Sequence, residues 1–173
     1  MKAYPMARIS TLGIIGKFAI ALIAVVVMQG ILSFKFKVFG YFDLPLICSV
    51  YYGFTWGNPV ASIVVGSSLG LMQDSLSGAA LGANGLTKTL IGFFAATAVS
   101  KFAVETTITR VLALFLFSVG DAVLVTILSL MVGSARSPSY SGALGGWLLS
   151  ATFNTLLGVA LFGYHDRWKH ATT

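Results

Sequence analysis

The sequence predicts an all-α polytopic membrane helix bundle of about six transmembrane helices, a single domain with both termini cytoplasmic. Composition is the first observation behind this. Of 173 residues, 57% are hydrophobic and only 9% are charged, with a mean hydropathy of +0.90. Soluble domains carry about a quarter charged residues, so water cannot cover this surface and lipid must. The second observation is punctuation: apolar runs are separated by short stretches of glycine, proline and charge. The third is small residues at helical spacing.

The elements follow in order. After a short polar lead, Met1–Ser10, the run Thr11–Ser33 is long enough to cross a hydrocarbon core, which takes about 20 residues. Lys17, near its start, can snorkel to the interface. No small-x-small cleavage pattern follows the run, so it reads as an uncleaved span. Phe34–Phe42 alternates lysine with aromatics and reads as an interfacial segment, rings at headgroup level. Asp43 is placed to N-cap a second span, 44–56, with Pro45 in the first turn. A Gly57-Asn58-Pro59 turn leads to a third span, 59–73. Asp74–Gly78 is expected as a loop, with Asp74 bonding backbone N–H groups two or three residues on. The remaining spans are 81–100, 109–132 and 143–163, with a loop at Ser134–Gly142 and a tail carrying Tyr164 and Trp168.

Charge sets the orientation. Lys2, Arg8, Lys17, Lys101, Arg110, Arg167 and Lys169 fall on the side of the termini, against Lys35, Lys37 and Arg136 opposite. That bias of seven to three puts the termini in the cytoplasm. The same scatter of basic residues, with no cluster and no stacking aromatics, argues against nucleic acid as a partner. The lone Cys48 allows no internal disulfide, and both histidines, His165 and His170, lie in the tail. No catalytic triad, metal site or cofactor is expected.

Two constellations stand out. Ser62, Gly66, Gly70 and Asp74 are four apart, as are Lys88, Gly92, Ala96 and Ser100. On helices each set shares a face where another backbone can approach closely, either within this bundle or from a partner. Lys88, Asp121 and Asn154 lie inside spans, where a charge is costly. They are expected to form a buried polar cluster, with Asp74 or Gln73 as an alternative partner for Lys88, unless Lys88 snorkels outward. Such a cluster serves as a packing device or as a ligand or proton site.

From Trp56 to Phe94 the chain resembles the family of the bacterial rod shape-determining protein MreD. The residues that carry this are Gly57-Asn58-Pro59, Gly66, the run Gly70-Leu71-Met72-Gln73-Asp74-Ser75-Leu76-Ser77-Gly78, Leu81-Gly82 and Gly92-Phe93-Phe94, with Asp43-Leu44 upstream. The family shows a G-P turn, a G-L-x-x-D-x-x-x-G run, an L-G pair and a G-Y end. This chain departs from it with Ala80 in place of proline and Phe93 in place of tyrosine. The resemblance implies a non-enzymatic, multi-pass scaffold in the bacterial cytoplasmic (inner) membrane. There it would serve the elongasome, which builds lateral peptidoglycan and sustains rod shape. Implied partners are an MreC-type bitopic membrane protein, then MreB, RodA and a class B penicillin-binding protein, all within the lipid bilayer. The family is also similar to the six-helix substrate-binding subunits of energy-coupling factor vitamin transporters, which supply the alternative function. Those subunits dock through alanines four apart on the first helix, whereas Ala19, Ala21 and Ala24 contain no such pair.

Overall fold

The computed structural model describes residues 11–77, 81–101, 106–132 and 144–171. The polar lead, Gly78–Ala80, the Ser134–Gly142 loop, and the side chains of Lys17, Lys37, Tyr164 and Trp168 lie outside the described residues. The order is α1 (Thr11–Lys35), a 3₁₀ segment (Lys37–Tyr41), α2 (Leu44–Trp56), α3 (Pro59–Ser77), α4 (Ala83–Lys101), α5 (Thr107–Met131) and α6 (Leu144–Ala171). Among the described residues there is no strand.

Local chemistry explains the boundaries. The lysine–aromatic alternation of Phe34–Phe42 winds into a 3₁₀ turn, where side chains three apart eclipse. Phe36, Phe39 and Phe42 therefore form a ladder, with ring centroids 5.9 and 5.5 Å apart. Asp43 Oδ1 accepts from Leu46 N at 2.9 Å and caps α2, with Pro45 in the first turn. Gly57 ends α2 in the left-handed region, φ 59°, and Asn58 Oδ1 accepts from Val60 N and Ala61 N to start α3.

Two expected boundaries shift. α3 runs past Gln73 to Ser77, so Asp74 is a helical residue. Its carboxylate is engaged elsewhere, and the Ser75 and Ser77 hydroxyls bond back to Leu71 O and Asp74 O. α6 continues through the expected tail to Ala171.

α4 is central: it packs on α2, α3 and α5, and its interface with α3 is the most extensive in the bundle. α1 lies against α2 and α3, and α5 pairs with α6. One apolar cluster joins Leu46, Val50, Ile91, Ala95, Leu114 and Phe162 across α2, α4, α5 and α6. A second joins Leu22 and Val26 of α1 to Val65 and Leu69 of α3. The exterior is studded with exposed Ile108, Leu116, Leu130, Leu144 and Leu156. Among the described residues two stretches are long and apolar enough to cross a membrane, Ile108–Met131 and Leu144–Gly163. α2 has only 13 residues, α3 and α4 devote positions to glycine, serine and charge, and in α1 the stretch Ile20–Lys35 is apolar but shorter.

Candidate functional site

The site begins where α3 meets α4. A Cβ on Gly66 would overlap the Lys88 carbonyl, and one on Gly70 the Asn84 carbonyl and, at 2.7 Å, the Gly85 Cα. A Cβ on Gly92 would stand 2.8 Å from Ser62 O. Each step of four along α3 thus matches a step of four back along α4, the register of a close antiparallel pair. Ser62, Gly66, Gly70 and Asp74 are all buried, so this face packs within the chain's own bundle.

That closeness brings Asp74 to the start of α4. Its Oδ2 accepts from Gly82 N at 2.9 Å and Gly85 N at 3.0 Å; its Oδ1 accepts from Asn84 N at 3.2 Å and Asn84 Nδ2 at 2.8 Å. The first amides of a helix have no partner within it and carry partial positive charge. Asp74 therefore caps the next helix, not the two or three residues after itself, which corrects the sequence expectation. Gly82, at φ 96°, makes the tight turn that aims these amides at it.

One turn further along α4, Lys88 is fully buried and does not snorkel. Its Nζ lies 2.7 Å from Asp43 Oδ2, 3.1 and 3.2 Å from the two oxygens of Asp121, and 3.0 Å from Asn84 Oδ1. Asn84 joins the two centres: its Nδ2 donates to Asp74 while its Oδ1 accepts from Lys88. Asp74 is therefore connected to Lys88 through an amide; the charge partners facing the ammonium are Asp121 and Asp43.

Asn154 enters through the backbone of Asp43. Its Oδ1 accepts from Asp43 N at 2.8 Å, and its Nδ2 donates to Ser118 Oγ at 2.8 Å. Ser150 Oγ donates to Tyr41 O at 2.7 Å. From α1, Gln29 Nε2 donates to Phe42 O and Gln29 Oε1 accepts from Leu44 N. The non-helical backbone entering α2 is thus satisfied by side chains, as buried irregular backbone must be. In all, Gln29, Asp43, Asp74, Asn84, Lys88, Asp121 and Asn154 draw one polar network from all six helices.

Sequence reasoning singled out Lys88, Asp121, Asn154 and Asp74, and the structure brings Lys88 and Asp121 into direct contact. It missed the ion pair of Asp43, read as a cap or, less favoured, as a contact to a partner, and it missed Asn84 and Gln29. Asn84 stands four residues before Lys88 on one helix face, a legible signal. Nothing local in the sequence points from Asp43 to Lys88.

Chemically, one ammonium faces two carboxylates, a formal surplus of one negative charge, with the N-terminus of α2 helping to offset Asp43. Such a network orients helices: removing one member of a buried pair strands the other. Among the described residues, no three His, Cys, Asp or Glu side chains gather as metal ligands would.

The family model described as rod shape-determining protein MreD matches residues 11–166. No curated protein and no solved structure matches the chain.

Proposed function

The chain belongs to the rod shape-determining protein MreD family, and on that premise we propose that it is a non-enzymatic scaffold of the elongasome. The family match carries this reading: it runs from the start of α1 into the last turns of α6. The family is one of membrane proteins with a role in rod shape determination. Beyond that, the reading places the chain in the inner membrane as a six-span protein with both termini cytoplasmic. It binds an MreC-type bitopic protein and, through the assembly, MreB, RodA and a class B penicillin-binding protein, so that lateral peptidoglycan synthesis is organised.

Two features support the multi-pass part. Asp74 of α3, Lys88 of α4 and Asp121 of α5 point inward and are satisfied there, while large apolar side chains stud the exterior that lipid would cover. The 13 residues of α2 span only about 20 Å against a core of about 30 Å, and α2 packs against all five other helices, which shelter this short element. The engagement of Lys88, Asp43, Asp74 and Asp121 with one another and with helix termini supports a structural role for the polar centre.

Depletion in a rod-shaped host tests the reading. Cells should round up, and affinity-purified protein should bring an MreC-type bitopic protein with it. Retained rod shape together with an uptake defect and a bound small molecule would instead support the vitamin-transporter subunit and sink the scaffold.

A further inference from the structure

We propose that Phe36–Asp43 is a strap that opens and closes over the Lys88 centre, with the Lys88–Asp43 ion pair as its latch. The first observation is how the strap is held. It keeps its own shape through 3₁₀ bonds, Phe39 N to Phe36 O and Phe42 N to Phe39 O. Backbone bonds tie it only to the two helices it joins, Phe36 N to Leu32 O and Ile47 N to Asp43 O. Its other bonds near the α2 end come from side chains: Ser150 to Tyr41 O, Gln29 to Phe42 O and Leu44 N, Asn154 to Asp43 N and Gln73 to Asp43 Oδ2. Among the described residues no backbone bond ties it to α6, and segments held across by side chains open at the low end of a protein's free-energy range.

The second observation is position. Among the described residues α1 and α6 do not meet, yet the 3₁₀ segment touches both. Phe42 stacks on Phe153 of α6, ring centroids 5.0 Å apart. The strap's last residue, Asp43, meets Lys88, and Asp43, Lys88 and Asp121 are each no more than 4% exposed.

Charge is the third. With the strap closed, one ammonium and two carboxylates leave a surplus negative charge in a water-poor interior. Lys88 has three N–H donors and four acceptor atoms around them. If Asp43 leaves with the strap, both Asp121 oxygens and Asn84 Oδ1 still satisfy the ammonium. The remaining Lys88–Asp121 pair is neutral, and Asp43 reaches water. The short Lys88–Asp43 bond favours closure; the surplus charge favours opening. The ammonium is satisfied in both states, as a two-state element requires, and the cost of opening is the Asp43 bonds to Leu46 N, Asn154 and Gln73.

Hydrogen exchange on the full chain in lipid nanodiscs tests this, and it depends on neither the scaffold role nor the sidedness. In the natural protein the amides of residues 38–44 should exchange on the order of a hundredfold faster than those of 86–92 in α4. Gln29→Ala should speed strap exchange by roughly fivefold and leave α4 unchanged. Asp121→Asn should slow it severalfold, because Asp43 becomes the sole carboxylate on Lys88 and the surplus charge is gone. General loosening predicts the opposite sign. Asp121→Asn accelerating the strap as Gln29→Ala does would overturn the proposal. Should Asp121→Asn fail to fold, strap and α4 exchanging together in the natural chain and in Gln29→Ala would overturn it equally.

Discussion

Lys88 and Asp43 are 45 residues apart in sequence and meet Nζ to Oδ2 at 2.7 Å, their side chains 0% and 6% exposed. The contact joins the second turn of the bundle's central helix to the residue that caps α2. Capping and charge pairing thus fall on one carboxylate: Oδ1 holds Leu46 N while Oδ2 holds the ammonium. Loss of Lys88 should then disturb both α4 and the entry to α2.

Lys88→Met strands Asp43 and Asp121 as buried carboxylates and should destabilise the protein by about 3–5 kcal/mol. Neutralising the whole centre with Lys88→Met, Asp43→Asn and Asp121→Asn should recover much of that loss. Thermal unfolding in detergent reads the difference. A triple variant no more stable than Lys88→Met would show that charge imbalance is not the cause. The simple swap Lys88→Asp with Asp121→Lys should recover only in part, because Asp43 stays aimed at position 88.

Asp74→Ala removes the acceptor of three backbone amides and the Asn84 side chain. Each buried donor left unmade costs about 1–3 kcal/mol, so the variant should be among the least stable single changes. Asp74→Asn keeps one acceptor oxygen and should fall between it and the parent. Equal stability of all three proteins would refute the cap.

Gly70→Ala should push α3 from α4, since the new methyl meets Gly85 Cα at 2.7 Å and backbone cannot step aside. A loss of about 1–3 kcal/mol is expected. Gly30→Ala and Gly120→Ala add a methyl into open space and should be neutral, or gain up to about 1 kcal/mol from helix propensity. In a depleted rod-shaped host, only Gly70→Ala should fail to restore shape.

Two buried serines should behave oppositely. Ser49 Oγ donates to Lys88 O at 3.1 Å, so Ser49→Ala should destabilise by about 1 kcal/mol. Ser62 Oγ is buried with no hydrogen-bond partner among the described residues, so Ser62→Ala should be neutral or stabilising by a similar amount. A side-by-side melt decides; a clear loss for Ser62→Ala would reveal a partner.

The helical elements were largely legible because their signals are local. Asp43 with Pro45, the Gly57-Asn58-Pro59 turn and the small residues four apart act within a few residues of themselves, and each marks a feature of α2, α3 or α4. The reading went astray where a local signal was claimed by a distant partner. Asp74 looks like a turn cap in its own segment, but the close α3–α4 approach hands its carboxylate to Gly82, Asn84 and Gly85.

By itself the sequence determined that the chain is helical, that its exterior is apolar, and which polar residues would have to be sheltered. Composition and periodicity decide those, because every buried charge needs a partner somewhere. Which partner it finds was left to the tertiary structure. Lys88 meets Asp121 and Asp43, and Asn154 meets the Asp43 backbone, because glycines at positions 66, 70 and 92 let α3 and α4 close up and the strap carries Asp43 inward. Pairing across 33, 45 and 111 residues depends on helix register and crossing, quantities no short window of sequence contains.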